Sequence, residues 1–242
     1  MLDYKKYENS KAVKVSRREM KYFITLEDYY YFKSVFPVFF NKDLHSIDEG
    51  YRVRSVYFDS INNLDYHDKI EGEQNRKKIR IRVYNPNDNK AKLEVKYKFN
   101  LNQRKETLII SREHAKRLIN GEYDVLLNYS DGIALKIYAI MVSDIYKPVS
   151  TLEYKREAFY KDEYGIRVTL DTEISHSETE FDIFSKDLNM IPTLDINRPL
   201  LEVKYEKYLY KWFQDILSSR DCVNSSISKY CSSRKIYGGF HI

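Results

Sequence analysis

An α+β fold dominated by antiparallel strands is what this sequence predicts, and three observations point there. Eight or nine segments alternate apolar and polar residues with a period of two, the pattern of half-buried strands. Tyrosine occurs 23 times in 242 residues, and tyrosine suits strands and half-wet surfaces. Helical segments with recognisable caps fall between the strands. No Pro/Gly/Ser-rich linker intervenes, so residues 1–242 read as a single domain with a polar lead-in over 1–14.

In chain order, RREMKYFI (Arg17–Ile24) is the first strand. TLEDYYYFKSVFPVFF follows as a helix, with Thr25 as N-cap and Asp28 three residues on. Its aromatic residues, Tyr29–Tyr31 with Phe32, Phe36, Phe39 and Phe40, are expected to pack it onto the sheet. YRVRSVYFDS alternates as a strand, and INNLDYHDKIEGEQN reads as its polar connection. RKKIRIRVYN, AKLEVKYKFN and RKETLIIS form an antiparallel meander, the first two joined by the turn NPNDN. Ser111 caps the helix REHAKRLIN and Gly121 ends it. A second helix is expected over roughly Tyr129–Ile145, before Pro148. Strands resume at STLEYKREAFY, IRVTLDTEI and PLLEVKYEKY. Leu209–Leu217 reads as helix, and SSISKYCSSRK carries no clear signal.

Composition excludes several classes. The net charge of +5, from 41 basic and 36 acidic residues, says little about partners by itself. Cys222 and Cys231 form neither a CxxC pair nor a zinc spacing, and read as free thiols. The five histidines, at 45, 67, 114, 176 and 241, lack metal-ligand spacing. There is no P-loop and no kinase-type glycine loop. No RNP-like aromatic motif supports nucleic-acid binding. The N-terminus lacks the apolar core of a signal peptide, and IALKIYAIMV is too short to span a bilayer. A cytoplasmic protein is expected.

The string LEVKY occurs at Leu93–Tyr97 and again at Leu201–Tyr205. In a strand it puts Glu94 with Lys96, and Glu202 with Lys204, opposite the apolar residues. Lys98 extends the first charged face. The same alternation groups Arg80, Arg82 and Tyr84; Arg167, Thr169 and Asp171; and Arg17, Glu19 and Lys21. A solvated sheet face is one reading of such a pattern. The density of cations favours another. Two like charges about 5 Å apart at an effective dielectric near 20 repel by roughly 3 kcal/mol, so converging cations call for a polyanion. Arginine and lysine suit phosphate oxygens, and interspersed carboxylates suit a divalent metal.

Taken in order, RREMKYFI, YRVRSVYFDS, RKKIRIRVY, KLEVKYK, YKREAFY, IRVTLDTEI, LLEVKY and SKYC resemble the triphosphate tunnel metalloenzyme superfamily. Within it they resemble the polyphosphate-polymerase (VTC) domain family, over about residues 17–231. The resemblance implies a closed antiparallel eight-stranded β-barrel, a triphosphate tunnel, with helices packed outside and the tail 218–242 contributing to the tunnel. It implies transfer of the ATP γ-phosphoryl group to a growing polyphosphate chain, with Mn²⁺ or Mg²⁺, ATP and polyphosphate as partners, and no nucleic acid. Carried over by motif, the phosphate ligands are Lys21, Arg80, Arg82, Lys96, Lys98, Lys105, Arg156, Arg167, Lys204, Ser228 and Lys229. Glu202 matches the metal carboxylate. Arg80, Arg82, Lys96 and Glu202 carry the implied catalysis. Glu153 is out of phase with Arg156 and is expected on the outer face. A hydrolase of the same fold, cleaving tripolyphosphate or a nucleoside triphosphate, and a non-catalytic polyphosphate-binding module are the alternatives.

Overall fold

In the computed structural model of the chain, residues 18–46, 49–100, 102–193, 198–206, 208–220, 222–226 and 228–234 are described. The order is β1 (Arg18–Phe23), α1 (Leu26–Phe39), β2 (Asn41–Lys42), β3 (Tyr51–Asp59), α2 (Leu64–Ile70), β4 (Asn75–Val83), β5 (Lys90–Phe99) and β6 (Asn102–Ser111). Then come α3 (Arg112–Ile119), α4 (Gly132–Ser143), β7 (Lys147–Lys161), β8 (Ile166–Ser177) and β9 (Ile191–Pro192). The chain continues through β10 (Leu200–Tyr205), α5 (Lys211–Ser218), β11 (Val223–Asn224) and α6 (Lys229–Ser232). Among the described residues, no helix is long and apolar enough to cross a membrane.

Hydrogen bonding orders the strands β11-β1-β10-β8-β7-β3-β4-β5-β6, with β2 beside β7 and β9 beside β8. Three of the eleven strands have two residues each, which leaves eight long ones, the number anticipated. The α+β class and the antiparallel pairing are as expected. The closed barrel is not: β11 and β6 end the ladder, so among the described residues hydrogen bonds do not close the sheet. Side-chain alternation fixes which face of a strand is apolar but is silent on whether two edge strands meet.

The chain divides into two compact units, and β3 and β7 contribute to both. The first comprises Ser55–Thr151 and Glu178–Asn189. Its meander pairs Ile79 with Val95, Ile81 with Leu93, Leu93 with Leu108 and Ala91 with Ile110. These side chains form a buried cluster with Val56 and Phe58 from β3 and with Ala115, Leu118, Ile137 and Met141 from α3 and α4. The Ser111 hydroxyl accepts from the His114 N–H at 3.1 Å, capping α3 as expected. Helix α4 starts later than the apolar run suggests, because Tyr123–Asn128 forms a 3₁₀ turn and Asp131 supplies the cap. Helix α2 was not anticipated. Asp65 is its one buried residue, so its segment carries no apolar stripe to read.

The second unit comprises the described residues of Ser16–Arg54, Leu152–Ser177 and Met190–Ile242. Strand β10 lies between β1 and β8, with Tyr22, Leu201, Val203, Val168 and Leu170 on a shared core face. Helices α1 and α5 cover it through Phe32, Phe36 and Phe213, all fully buried. Each such ring is worth roughly 2–3 kcal/mol of burial. A reciprocal capping box starts α1: Asp28 N–H donates to the Thr25 hydroxyl, and Thr25 N–H to the Asp28 carboxylate. The aromatic packing expected of α1 is present at Tyr29, Phe32, Phe36 and Phe40, whereas Tyr30 points outward.

Candidate functional site

Each unit is two-faced. Helices cover the apolar face, and the opposite face of the sheet carries the charge, because side chains alternate along every strand.

In the first unit the register makes that face strongly basic. Lys78 on β4 lies beside Lys96 on β5, which lies beside Lys105 on β6. Three lysines thus form a row across three adjacent strands, spaced by about 4.8 Å per strand. One step along, Arg80 pairs with Glu94; one step further, Arg82 pairs with Lys92. Like charges directly opposite are unfavourable in a ladder, and Glu94 is the one carboxylate on this face of β4, β5 and β6. Its oxygens are held by Arg80 Nε at 2.8 Å and Lys105 Nζ at 2.8 Å, with Arg82 at 4.0 Å. Burial alone raises its pKa. Arg80, Arg82 and Lys105 outweigh that and hold it well below the usual carboxylate range.

Strand β3 adds two hydroxyls to this face. Arg82 Nε donates to Ser55 Oγ at 3.1 Å, and Arg80 donates to the Tyr57 hydroxyl at 3.1 Å. Burial raises the Tyr57 pKa, but Arg80 and Arg82 outweigh it and bring it down from 10.0 to about 8. The folded value lies below the unfolded one, so Tyr57 ionisation adds stability as pH rises from about 8 to 10 and adds none below. In an ultraviolet titration one phenol should ionise near pH 8, be absent in Tyr57→Phe, and move upward when tripolyphosphate is added. Titration of every tyrosine in its ordinary range would contradict this geometry.

The charged face of the second unit centres on two carboxylates, Asp171 of β8 and Glu202 of β10, both buried. Arg156 from β7 donates to both oxygens of Asp171, at 2.6 and 2.7 Å, and lies 3.8 Å from Glu202. Lys229 of α6 reaches Asp171 at 2.6 Å and Glu202 at 3.9 Å. Lys204 holds the other Glu202 oxygen at 2.6 Å. Lys21 is paired in register with Glu202, and its ammonium lies 3.0 Å from Glu19. The Tyr154 ring packs under both Arg156 and Lys229, at 5.1 and 5.0 Å. Burial pushes both carboxyls up. The surrounding cations more than reverse it: Asp171 is lowered and Glu202 lies well below its usual value. Arg156 is correspondingly raised, its burial outweighed by Asp171 and its other neighbours.

The residues anticipated from motif fall into these two groups. Arg80, Arg82, Lys96, Lys98 and Lys105 lie on the first face, Arg82 buried and Lys96 exposed. Lys21, Arg156, Glu202, Lys204 and Lys229 lie on the second. Arg167 sits beside Lys204 in register, but its guanidinium pairs with Asp43 at 3.0 Å, away from the carboxylates. The Ser228 hydroxyl caps α6 by accepting from the Cys231 N–H. Arg17 lies outside the described residues. Glu153 is out of phase with Arg156 and points to the other face of β7, where it is buried and bound to Arg54 at 2.6 Å and Arg52 at 3.0 Å.

Glu94, Tyr57, Tyr154 and Asp171 were not anticipated as site residues. Asp171 was within reach of sequence reasoning, since it shares strand parity with Arg167 and Thr169. Its pairing with Arg156 was not, because that depends on which strand lies beside β8.

Asp171 and Glu202 offer hard oxygen donors of the kind Mg²⁺ and Mn²⁺ prefer. Among the described residues no group of three or more His, Cys, Asp or Glu side chains is placed to hold a metal. Both are ion-paired in the protein, to Arg156, Lys229 and Lys204, so a divalent ion held by this pair would displace some of these cations and take its remaining ligands from phosphate and water.

Comparison with known proteins places the chain. No curated protein matches it in sequence. Among solved structures, a candidate adenylate cyclase from Bacillus halodurans aligns with a TM-score of 0.52 at 15% identity, covering 90% of this chain and 94% of its own. At that identity the likeness speaks for the fold alone. A protein from Pyrococcus horikoshii aligns with a TM-score of 0.45 at 13% identity, covering 88% of this chain and 96% of its own. The sequence profile of the VTC domain matches residues 16–237, nearly the whole length. The chain belongs to the VTC-domain family.

Proposed function

We propose that this protein is an ATP-dependent polyphosphate polymerase. The observation that carries the reading is the row Lys78–Lys96–Lys105, flanked by Arg80 and Arg82, on one face of a three-stranded meander. Lysines opposed on adjacent strands repel one another, and an extended chain of phosphates offsets that cost with one charge per unit. A monovalent or compact ligand would neutralise one position and leave the others.

The reaction exchanges one phosphoanhydride for another. A terminal oxygen of the polyphosphate chain attacks the γ-phosphorus of ATP, the bond to the β-phosphate oxygen breaks, and ADP departs. The nucleophile is already ionised near neutral pH, so no Ser–His or Cys–His pair is required. Positioning and charge neutralisation supply most of the acceleration. Arg80, Arg82 and Lys96 hold equatorial phosphate oxygens as charge redistributes. Mn²⁺ or Mg²⁺, held by Glu202 with Asp171 beside it, would supply Lewis-acid neutralisation of the phosphates. Arg156, Lys204 and Lys229 keep both carboxylates ionised and can donate hydrogen bonds to phosphate oxygens once a ligand enters.

The test is incubation of the protein with ATP and Mn²⁺, followed by a urea gel. Long acid-labile phosphate polymers are expected. Free phosphate without polymer would assign the chain to hydrolysis, and neither product would leave a binding module. Glu202→Gln should abolish polymer formation while tripolyphosphate binding persists. Polymer made at the wild-type rate by that variant would remove Glu202 from the chemistry.

A further inference from the structure

The second unit carries a cavity on the side of β7 away from Arg156. It is an open cleft of about 740 Å³, with Lys33, Arg52, Lys155 and Arg198 among its lining residues. Lys155 and Arg156 are consecutive on β7 and therefore point to opposite faces. Neither the motif residues nor the VTC match assigns this cleft a role.

We propose that the cleft binds a nucleoside monophosphate, its phosphate on the four cations and its base against Tyr30. The volume lies within the range of small-molecule sites, roughly 300–1,000 Å³. Two of the cations, Lys155 and Arg52, have exposed carboxylate partners that a phosphate can displace. Lys155 pairs with Glu49 at 3.1 Å, and that glutamate side chain is 82% exposed. Arg52 bridges the buried Glu153, which Arg54 also holds, and the exposed Glu173, at 3.0 and 2.9 Å. The exposed pairs with Glu49 and Glu173 are weak, so exchanging those carboxylates for a phosphate dianion is favourable where several cations converge. Lys33 also lies 3.1 Å from the buried Glu157, which accepts from the Tyr29 hydroxyl.

Two further observations point to a ligand with a flat ring. Tyr30 is 66% exposed and Leu26 54% exposed, on the helix that buries Tyr29, Phe32 and Phe36 in the core. Tyr29 braces the Tyr30 ring edge-on at 5.1 Å. A rigid exposed ring beside a cluster of cations is the arrangement that stacks a base and holds its phosphate. Glu173 also adopts a left-handed backbone at φ 51°, costly for a non-glycine residue. The distortion lies within β8 where Glu173 engages Arg52, and such outliers concentrate at ligand clamps.

The experiment is calorimetric titration of the full chain with AMP, and separately with inorganic phosphate. AMP binding should weaken by at least about tenfold in the double variant Lys155→Ala/Arg198→Ala, and by about tenfold in Tyr30→Ala. Inorganic phosphate should bind more weakly than AMP and be indifferent to Tyr30→Ala. AMP binding should survive in Arg80→Ala, which separates this cleft from the charged faces. Arg198 and Tyr30 are exposed, and unchanged circular-dichroism melts will confirm that these variants fold. Absence of AMP binding by the wild type, equal affinity for phosphate and AMP, or loss of AMP binding in Arg80→Ala alone would overturn the assignment. The outcome is independent of the polymer gel, because a hydrolase or a binding module could carry the same cleft.

Discussion

Replacing Arg156 by methionine should lower the unfolding free energy by roughly 3 kcal/mol at neutral pH, the cost of breaking a buried ion pair from one side. The guanidinium spans both oxygens of Asp171 and approaches Glu202, and its removal leaves those buried carboxylates to Lys229, Lys204 and Lys21. Lys229 moderates the loss without cancelling it, since one ammonium cannot reproduce a two-pronged contact. The pH dependence fixes the sign. Both carboxyls have folded pKa values below their unfolded ones, so the stability they contribute is complete above the unfolded value, about 4, and fades as pH falls through the folded value. The gap between wild type and variant should therefore be widest near pH 7 and narrow in acid. Urea unfolding at both pH values measures it. Arg167→Met, at the exposed pair with Asp43, should cost well under about 1 kcal/mol. Equal losses for the two variants would refute the central place given to Arg156.

Arg80→Ala should reduce phosphoryl transfer by roughly 100- to 1,000-fold, the usual effect of removing one donor to a developing negative charge. Its fold should survive, because Lys105 and Arg82 still face Glu94. Lys96→Ala should act more mildly, by about tenfold in kcat/KM, because Lys96 is exposed and solvent screens its hold on an equatorial oxygen. Steady-state rates with ATP at several concentrations distinguish the two. Wild-type turnover in Arg80→Ala would sink the role assigned to the basic face.

Much of this was legible in the residues. The Thr25–Asp28 box and the Ser111 cap were readable because their bonds are local, three residues apart. The charged and apolar faces were readable because strand parity is also local. Where neighbours in space decide, reading failed. Helix α2 buries a carboxylate in place of an apolar stripe, and burial, with Asp59 nearby, raises the Asp65 pKa to about 7 against the opposing pull of Lys77 and Tyr146. The helix ends before Pro148 as expected, but strand β7 begins at Lys147, ahead of the expected Ser150; proline is tolerated at a strand start, where its missing N–H need not join the ladder. The segment around Ser228 and Lys229 offered no periodicity, because its helix is only four residues long. Yet Lys229 completes the cation shell of Asp171.

By itself the amino-acid order determined the strands, their two faces, the caps of α1 and α3, and the grouping of basic side chains opposite an apolar core. Each of these follows from contacts within a few residues or from the fixed alternation of a strand. Tertiary structure alone decided which strands are neighbours, and with that which charges meet. The two LEVKY copies show the difference: identical in sequence, one places its glutamate beside Arg80 and the other beside Lys21. Register across a sheet is set by long-range packing, so the same five residues become an anchor for arginine in one unit and half of a carboxylate pair in the other.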